Sequence, residues 1–194
     1  MLIRSRTAGF TLIELMVGMI VGLIVLSAII YIFIVSIRSS RDVYRGAVVN
    51  NETAFLSDFV TGEIRRIGYT SASTADVSNT FDIVGSNCLV YTYDKDTTTP
   101  GMADDNYFAI KSDAGKLYYG VSVAVATCTA ASSAWGQLSS DRVTASIAFQ
   151  SVASAAMPSY QTNLLGYTLT LQWTGDDWSS SISESVAVRN SEKL

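Results

Sequence analysis

Residues 6–17, RTAGFTLIELMV, join a short basic segment to a long apolar one. The basic segment ends at Gly9, and an apolar run over residues 10–37 follows, with Glu14 as its only charged residue. A secretory signal has its small-residue cleavage site after the apolar region, whereas Gly9 lies before it. Cleavage after Gly9 would therefore leave the apolar helix on the mature protein, with Phe10 as its first residue.

This layout resembles the prepilin motif of type IV pilins and type II secretion pseudopilins. The resemblance lies in the basic leader, the Gly9-Phe10 pair and the glutamate, Glu14, at the fifth place of an otherwise apolar helix. It implies that residues 1–9 are a leader, which a membrane-embedded prepilin peptidase removes before methylating the amine of Phe10. Cleavage creates a charged amine on Phe10 one helical turn from Glu14. Pairing of that amine with Glu14 of its own chain or of a neighbour would set the axial register of a filament.

The apolar run is long enough to cross a bilayer. Its 28 positions give a helix of about 42 Å at ~1.5 Å per residue, against a hydrocarbon core of roughly 30 Å. The excess length lets Glu14 sit near one interface, which avoids the ~2.5–3.5 kcal/mol cost of a carboxylate at mid-membrane. The distribution of charge does not predict which end of the helix is cytoplasmic, because basic residues flank it on both sides. They are Arg4, Arg6, Arg38, Arg41 and Arg45. The family resemblance implies a cytoplasmic N-terminus and a periplasmic head at a bacterial inner membrane, followed by a place in a surface filament.

Gly18 and Gly22 form a small-xxx-small pair on one face of this helix. Such a pair favours close contact with another helix. Glycine is also tolerated in membrane helices that have no such contact, so both interpretations remain open.

The helix is predicted to continue, as an amphipathic segment over residues 38–69, to Gly68. Gly68 and the Ser/Thr-rich residues that follow Tyr69 indicate its end. Apolar residues recur there at spacings of mostly three or four, which is typical of a helix with one buried stripe. They are Val48, Phe55, Leu56, Phe59, Val60, Ile64 and Ile67.

Residues 70–194 are predicted to form a β-rich head. Alternation of apolar and polar residues is clearest at Gly166–Thr174, which indicates strands with one buried face. The sequence therefore predicts an α+β fold in which a long N-terminal helix packs on a C-terminal antiparallel β-sheet, as in type IV pilins. The predicted strands are Phe81–Val84, Cys88–Tyr93, Tyr107–Ile110, Leu117–Val125, Arg142–Val152, Gly166–Thr174 and Ser183–Arg189.

Three later stretches resemble one branch of the superfamily, the PilW-type minor pilins. They are residues 63–69 (EIRRIGY), 88–94 (CLVYTYD) and 186–190 (VAVRN).

Cys88 and Cys128 are the only cysteines, and both follow the anchor. Outside the cytoplasm they are expected to form a disulfide, and two free buried thiols are the alternative. A disulfide would stabilise the head by up to ~4 kcal/mol in the chain-entropy model.

The sequence does not predict a metal site. The chain has no histidine and no second cysteine pair, which argues against zinc. Acidic residues of an exposed loop, Tyr93–Asn106, begin like a calcium loop but lack its glycine and its final glutamate. We therefore expect a solvated acidic loop, with calcium binding as the alternative. The candidates are Asp94, Asp96, Asp104 and Asp105.

Composition and motifs narrow the function. The net charge of −4 argues against nucleic acid as a partner, and the sequence has no nucleophile elbow, phosphate loop or catalytic base among histidines, so we expect neither an enzyme nor a bound cofactor. The resemblance implies a minor pilin that primes a type IV pilus or lies near its tip. A type II secretion pseudopilin is the close alternative, and a displayed adhesin or ligand-binding head, using Tyr93–Asn106 and Thr127–Trp135, is another. The implied partners are minor and major pilins or pseudopilins, prepilin peptidase, the inner-membrane assembly platform, and membrane lipid before assembly.

Overall fold

The computed structural model describes residues 9–69, 81–93, 107–123, 127–152 and 163–188. The chain divides into two compact units, residues 1–44 and 45–194. One α-helix, α1 (Leu12–Arg66), contributes to both.

In the first unit, α1 carries the apolar run. Every described residue up to Tyr44 is exposed, including Phe10 at 82% and Ile37 at 39%. An 18-residue stretch of α1 has a mean hydropathy of 2.9, and by length and composition α1 is the one helix of the described chain that could cross a membrane. An apolar surface of this size on all sides of a helix is stable in lipid or against other helices, not in water.

In the second unit, α1 buries one face. Val49, Leu56, Val60, Ile64 and Ile67 are at most 1% exposed, and their spacing follows the helical period. The amphipathic prediction is therefore right for most of its members. It is wrong for Phe55, which is 60% exposed and therefore lies off the buried face.

Gly68 ends the helix, as predicted. It has a φ of 70°, a left-handed conformation that suits glycine, and the Tyr69 N–H donates to the Arg66 carbonyl at 3.0 Å. The Gly68 N–H donates to the Thr92 carbonyl, also at 3.0 Å, which ties the helix end to the segment after the second strand.

The head contains two antiparallel sheets rather than the single sheet predicted. The first has five strands in chain order. Trp135–Gln137, preceded by a 3₁₀ turn at Ser132–Ala134, was not predicted, because three residues are too few to show alternation. The strands are β1 (Phe81–Val84), β2 (Cys88–Tyr91), β3 (Phe108–Asp113), β4 (Lys116–Val121) and β5 (Trp135–Gln137).

The second sheet has three strands, β6 (Val143–Val152), β7 (Asn163–Trp173) and β8 (Ser179–Val188), also in chain order. Alternate residues of β6 are buried, as the period of two predicts. β8 begins four residues before its predicted start, because Ser179–Ser181 contains no apolar residue to mark it.

One hydrophobic core joins the inner face of α1 to both sheets. Its largest fully buried side chains include Tyr91, Tyr167, Phe108 and Leu56, which come from the helix and from each sheet. The α+β architecture predicted from the sequence is thus confirmed, with the sheet divided in two.

Candidate functional site

The residues around the predicted cleavage bond form the start of α1. The helix begins at Leu12, and the carboxylate of Glu14 accepts hydrogen bonds from the N–H of Thr11 (3.5 Å) and from its hydroxyl (3.3 Å). The spacing Thr11-x-x-Glu14 is that of a capping box, in which a glutamate satisfies an N–H that the helix leaves free. The carboxylate is therefore turned back toward the residue that follows Phe10.

Gly18 and Gly22 lie four residues apart on an exposed stretch of α1. A Cβ atom added at either glycine would meet no atom within 4 Å. The geometry is compatible with close approach of another helix, and that role stays a prediction.

Cys88 and Cys128 are joined by a disulfide, with a Cα–Cα distance of 6.6 Å. Both are buried, at 3% and 8% exposure, in a small cluster with Val90, Ala109 and Val123. The bond ties the start of β2 to the segment before β5, so it closes the chain around β3 and β4.

A buried carboxylate that sequence reasoning missed lies at the end of α1. Glu63 is 4% exposed, and it accepts a 2.7 Å hydrogen bond from the Tyr91 hydroxyl and a 2.6 Å bond from Arg66. Stacked aromatic rings surround this group, with Tyr93 and Phe108 at 4.6 Å between centroids. The signal was the place of Glu63 on the buried stripe, next to Ile64.

This environment shifts the pKa of neighbouring groups. Burial first, and then the charge of Glu63, raises the pKa of Tyr91 well above its ordinary value of 10.0. The same two causes raise the pKa of Tyr119. The charge of Glu63 is the chief cause that raises the pKa of Arg66.

A second polar cluster links α1 to the three-stranded sheet. The Tyr167 hydroxyl lies 2.8 Å from the hydroxyls of Ser57 and Thr61 and donates to Glu184 at 3.0 Å. Thr61 also donates to Glu184 at 2.9 Å. Burial raises the pKa of Tyr167, and its hydroxyl contacts with Ser57 and Thr61 act against that rise.

The hairpin turn between β7 and β8 contacts the start of the buried part of α1. Arg45 forms an ion pair with Asp176, and its guanidinium lies 6.0 Å from the Trp173 ring. The ring of Trp178 lies over Gly46, where an added Cβ would be 3.1 Å from the ring. Glycine weakens a helix, and the close approach of the Trp178 ring explains why one stands at position 46.

The calcium candidates Asp94, Asp96, Asp104 and Asp105 lie outside the described residues, as does most of the loop predicted over Tyr93–Asn106. Within the described part of the chain, no group of three or more metal-binding side chains comes together. The Thr127–Trp135 segment, apart from the buried Cys128, is exposed or half-buried.

Two protein-family models match this chain. Residues 4–30 match the prokaryotic N-terminal methylation motif, and residues 42–188 match the family described as prepilin peptidase-dependent protein B. No curated protein and no solved structure matches the chain.

The fold, the exposed apolar helix and the N-terminal motif define a type IV pilin-like protein. Since the second match covers most of its length, the chain belongs to the prepilin peptidase-dependent protein B family. Membership implies processing by prepilin peptidase and pilus-type assembly, and it indicates a structural protein rather than an enzyme. The apolar helix and the prepilin motif fit membrane anchoring.

Proposed function

We propose that this chain is a minor pilin, a structural subunit that primes assembly of a type IV pilus or lies at or near its tip. The observation that carries the proposal is the exposed apolar part of α1, which starts directly after Gly9-Phe10 and carries Glu14 in its first turn. Such a helix can be held by lipid before assembly and by the helices of other subunits afterwards.

Glu14 gives this transfer its register. In the membrane, the new amine of Phe10 and the carboxylate of Glu14 both stay near the headgroups and water. In a filament core they lose that water, and a buried charge without a partner is costly. Pairing between chains offsets the cost only when one subunit stands at the correct height beside the next.

The capping contacts of Thr11 support this role. They hold the Glu14 carboxylate at the N-terminal end of the helix, where the helix dipole favours a negative charge. A neighbour's amine would replace contacts of 3.3–3.5 Å, which are long for hydrogen bonds. An ion pair between that amine and Glu14 can therefore form with little loss of existing hydrogen-bond energy.

The PilW-type stretches favour a minor rather than a major subunit. Residues 63–69 include the Glu63–Arg66 pair and Gly68, which together end the helix and fix it to β2 and the segment after it. A type II secretion pseudopilin would have the same anchor and the same assembly chemistry, and it remains the alternative. A ligand-binding head is a further function that the exposed Thr127–Trp135 segment allows.

Deletion of the gene and complementation test the proposal. We expect the deletion to lower the number of surface pili, full-length chain to restore it, and sheared filaments to contain the mature protein starting at N-methylated Phe10. Mass spectrometry of that fraction checks both the cleavage and the methyl group. Normal piliation with a defect confined to protein secretion would favour the pseudopilin. A mature chain that still begins at Met1 would contradict both.

A further inference from the structure

The three-stranded sheet has one covered edge and one open edge. At the covered edge, β6 meets the turns of the five-stranded sheet: the Ala145 N–H donates to the Gly115 carbonyl at 2.8 Å, and the Phe149 N–H donates to the Ser86 carbonyl at 2.7 Å. Side chains complete the cover, because Lys116 donates to the Val143 carbonyl at 3.0 Å. The outward N–H groups of Ala145 and Phe149 and the carbonyl of Val143 are thus satisfied within the chain.

The open edge is β8, and its hydrogen-bonding pattern shows which groups face outward. The Trp173 N–H donates to the Trp178 carbonyl, and bonded and non-bonded pairs alternate from there along the hairpin. The residues whose N–H and C=O point away from β7 are therefore Ser179, Ser181, Ser183, Ser185 and Ala187. None of these backbone groups has a partner in the described part of the chain.

This edge lacks the features that usually protect an edge strand. Its ten residues include no proline or lysine, and Glu184 is its only charged residue. β1 and β5, the outer strands of the other sheet, have only four and three residues. A long, unguarded edge is suited to pairing with an added strand, which is a common mode of peptide recognition.

A groove that contains one basic and one acidic side chain runs beside this edge. It is lined by Thr61 and Arg65 of α1 and by residues 184–187 of β8. The Glu184 carboxylate already accepts hydrogen bonds from Thr61 and Tyr167. Arg65 is exposed and has no acidic partner among the residues that the structure describes, so the groove offers a free cation next to unpaired backbone groups.

We propose that the free edge of β8 binds an extended, acidic strand of another protein, which adds a fourth strand to the three-stranded sheet and places a carboxylate on Arg65. The backbone bonds supply the affinity, and Arg65 selects for a negative charge. This inference concerns the head alone and does not depend on entry into a filament.

Photo-crosslinking in cells that normally make the protein tests the proposal. The full-length chain carries a benzophenone amino acid at Ser185, on the open edge, or at Ser146, an exposed position on the covered edge. We expect the probe at 185 to give a crosslinked peptide from another protein, extended in register and containing Asp or Glu, and the probe at 146 to give none. Equal crosslinking at both positions, lipid adducts alone, or crosslinking only to β8 of a second copy would overturn the proposal.

A matched pair of variants isolates the backbone contact. Ser183→Ala and Ser183→Pro both remove the hydroxyl contact with Thr168, but only proline removes the outward N–H. We expect crosslinking from position 185 to fall about tenfold in the proline variant relative to the alanine variant, while both unfold at similar temperatures. Equal yields from the two variants would contradict strand addition.

Arg65 provides a second readout that leaves the strand untouched. Because its side chain is exposed, substitution is expected to preserve the fold. Crosslinking should fall in the order wild type, Arg65→Gln, Arg65→Glu. Yields unaffected by Arg65→Glu would show that the occupant is not acidic.

Discussion

The hydroxyl of Tyr91 donates a 2.7 Å hydrogen bond to the buried carboxylate of Glu63, across the interface between α1 and the five-stranded sheet. Arg66 satisfies the other carboxylate oxygen at 2.6 Å. A buried charge is tolerated only when its hydrogen-bonding sites are filled, so this contact fixes the end of the helix to β2.

Tyr91→Phe should destabilise the head. It leaves a charged acceptor without one of its partners, and we expect a loss of about 1.5–3 kcal/mol in the free energy of unfolding. Urea denaturation of detergent-solubilised protein, followed by near-UV circular dichroism, measures it. Tyr118→Phe is the control, because Tyr118 is half-buried and its hydroxyl makes no hydrogen bond within the described residues. A loss no larger than that of the control would show that the Glu63 contact contributes little.

The raised pKa of Tyr91 predicts loss of stability at high pH. Below about pH 10 the phenol is protonated in both the folded and the unfolded state, so its contribution is fully present. Above that pH the unfolded chain loses the proton first, and stability falls by up to ~1.4 kcal/mol per pH unit for each such group. Tyr119 and Tyr167, whose pKa values are also raised, add to the effect.

Denaturation midpoints measured between pH 8 and 11 test this dependence. The midpoint should be flat at first and then decline, and Tyr91→Phe should make the decline shallower. A midpoint that rises as the pH increases above about 10 would contradict the prediction that buried, protonated tyrosines stabilise the head.

Gly46 and Gly62 form a matched pair of helical glycines. At Gly62 an added Cβ meets no atom within 4 Å, so Gly62→Ala should stabilise the head by about 0.5–1 kcal/mol through helix propensity. At Gly46 the Cβ would lie 3.1 Å from the Trp178 ring, so the ring must shift. We expect Gly46→Ala to gain less than Gly62→Ala and to change tryptophan emission. Equal gains with unchanged emission would contradict the contact.

The disulfide between Cys88 and Cys128 closes a loop with a sequence separation of 40. Its reduction should therefore destabilise the head by up to ~4 kcal/mol. Non-reducing peptide mapping should find the two cysteines joined, and denaturation with and without reductant measures the loss. Membrane insertion should not change, because the anchor contains neither cysteine. Free alkylation of both thiols in unfolded, unreduced protein would refute the bond.

The sequence predicts local structure here better than it predicts the tertiary contacts. The helix, its end at Gly68 and most strands follow from periodicity and turn residues, which act locally. The division into two sheets depends on which strands pair, and neighbouring residues do not encode that choice. Phe55 was assigned to the core by its hydrophobicity, although it lies off the face that Leu56, Val60 and Ile64 define.

Residues of the candidate site can likewise be recognised in the sequence only where a local pattern marks them. Gly9, Phe10 and Glu14 stand out because they occupy fixed places in one short motif. Glu63 does not stand out, because a glutamate on a helix usually faces solvent. Its burial depends on Tyr91, which is 28 residues away in the chain. The open edge of β8 likewise appears only when the sheet is assembled.

Whether Glu14→Ala enters filaments tests the role of Glu14 in assembly. The variant removes a charge from an apolar helix, so it should insert into the membrane at least as well as wild type and should still be cleaved after Gly9. What should fail is assembly, because the amine of Phe10 then has no carboxylate to fix its register. Glu52→Ala, which alters an exposed contact of the head with Ser140, is the control for general damage.

The measurement is the ratio of mature protein in sheared filaments to that in membranes, for wild type, Glu14→Ala and Glu52→Ala expressed at equal levels. We expect Glu14→Ala to be present and processed in membranes but to fall at least about tenfold in filaments, whereas Glu52→Ala should enter them normally. Wild-type levels of Glu14→Ala in sheared filaments would contradict the account and leave the helix as a membrane anchor only.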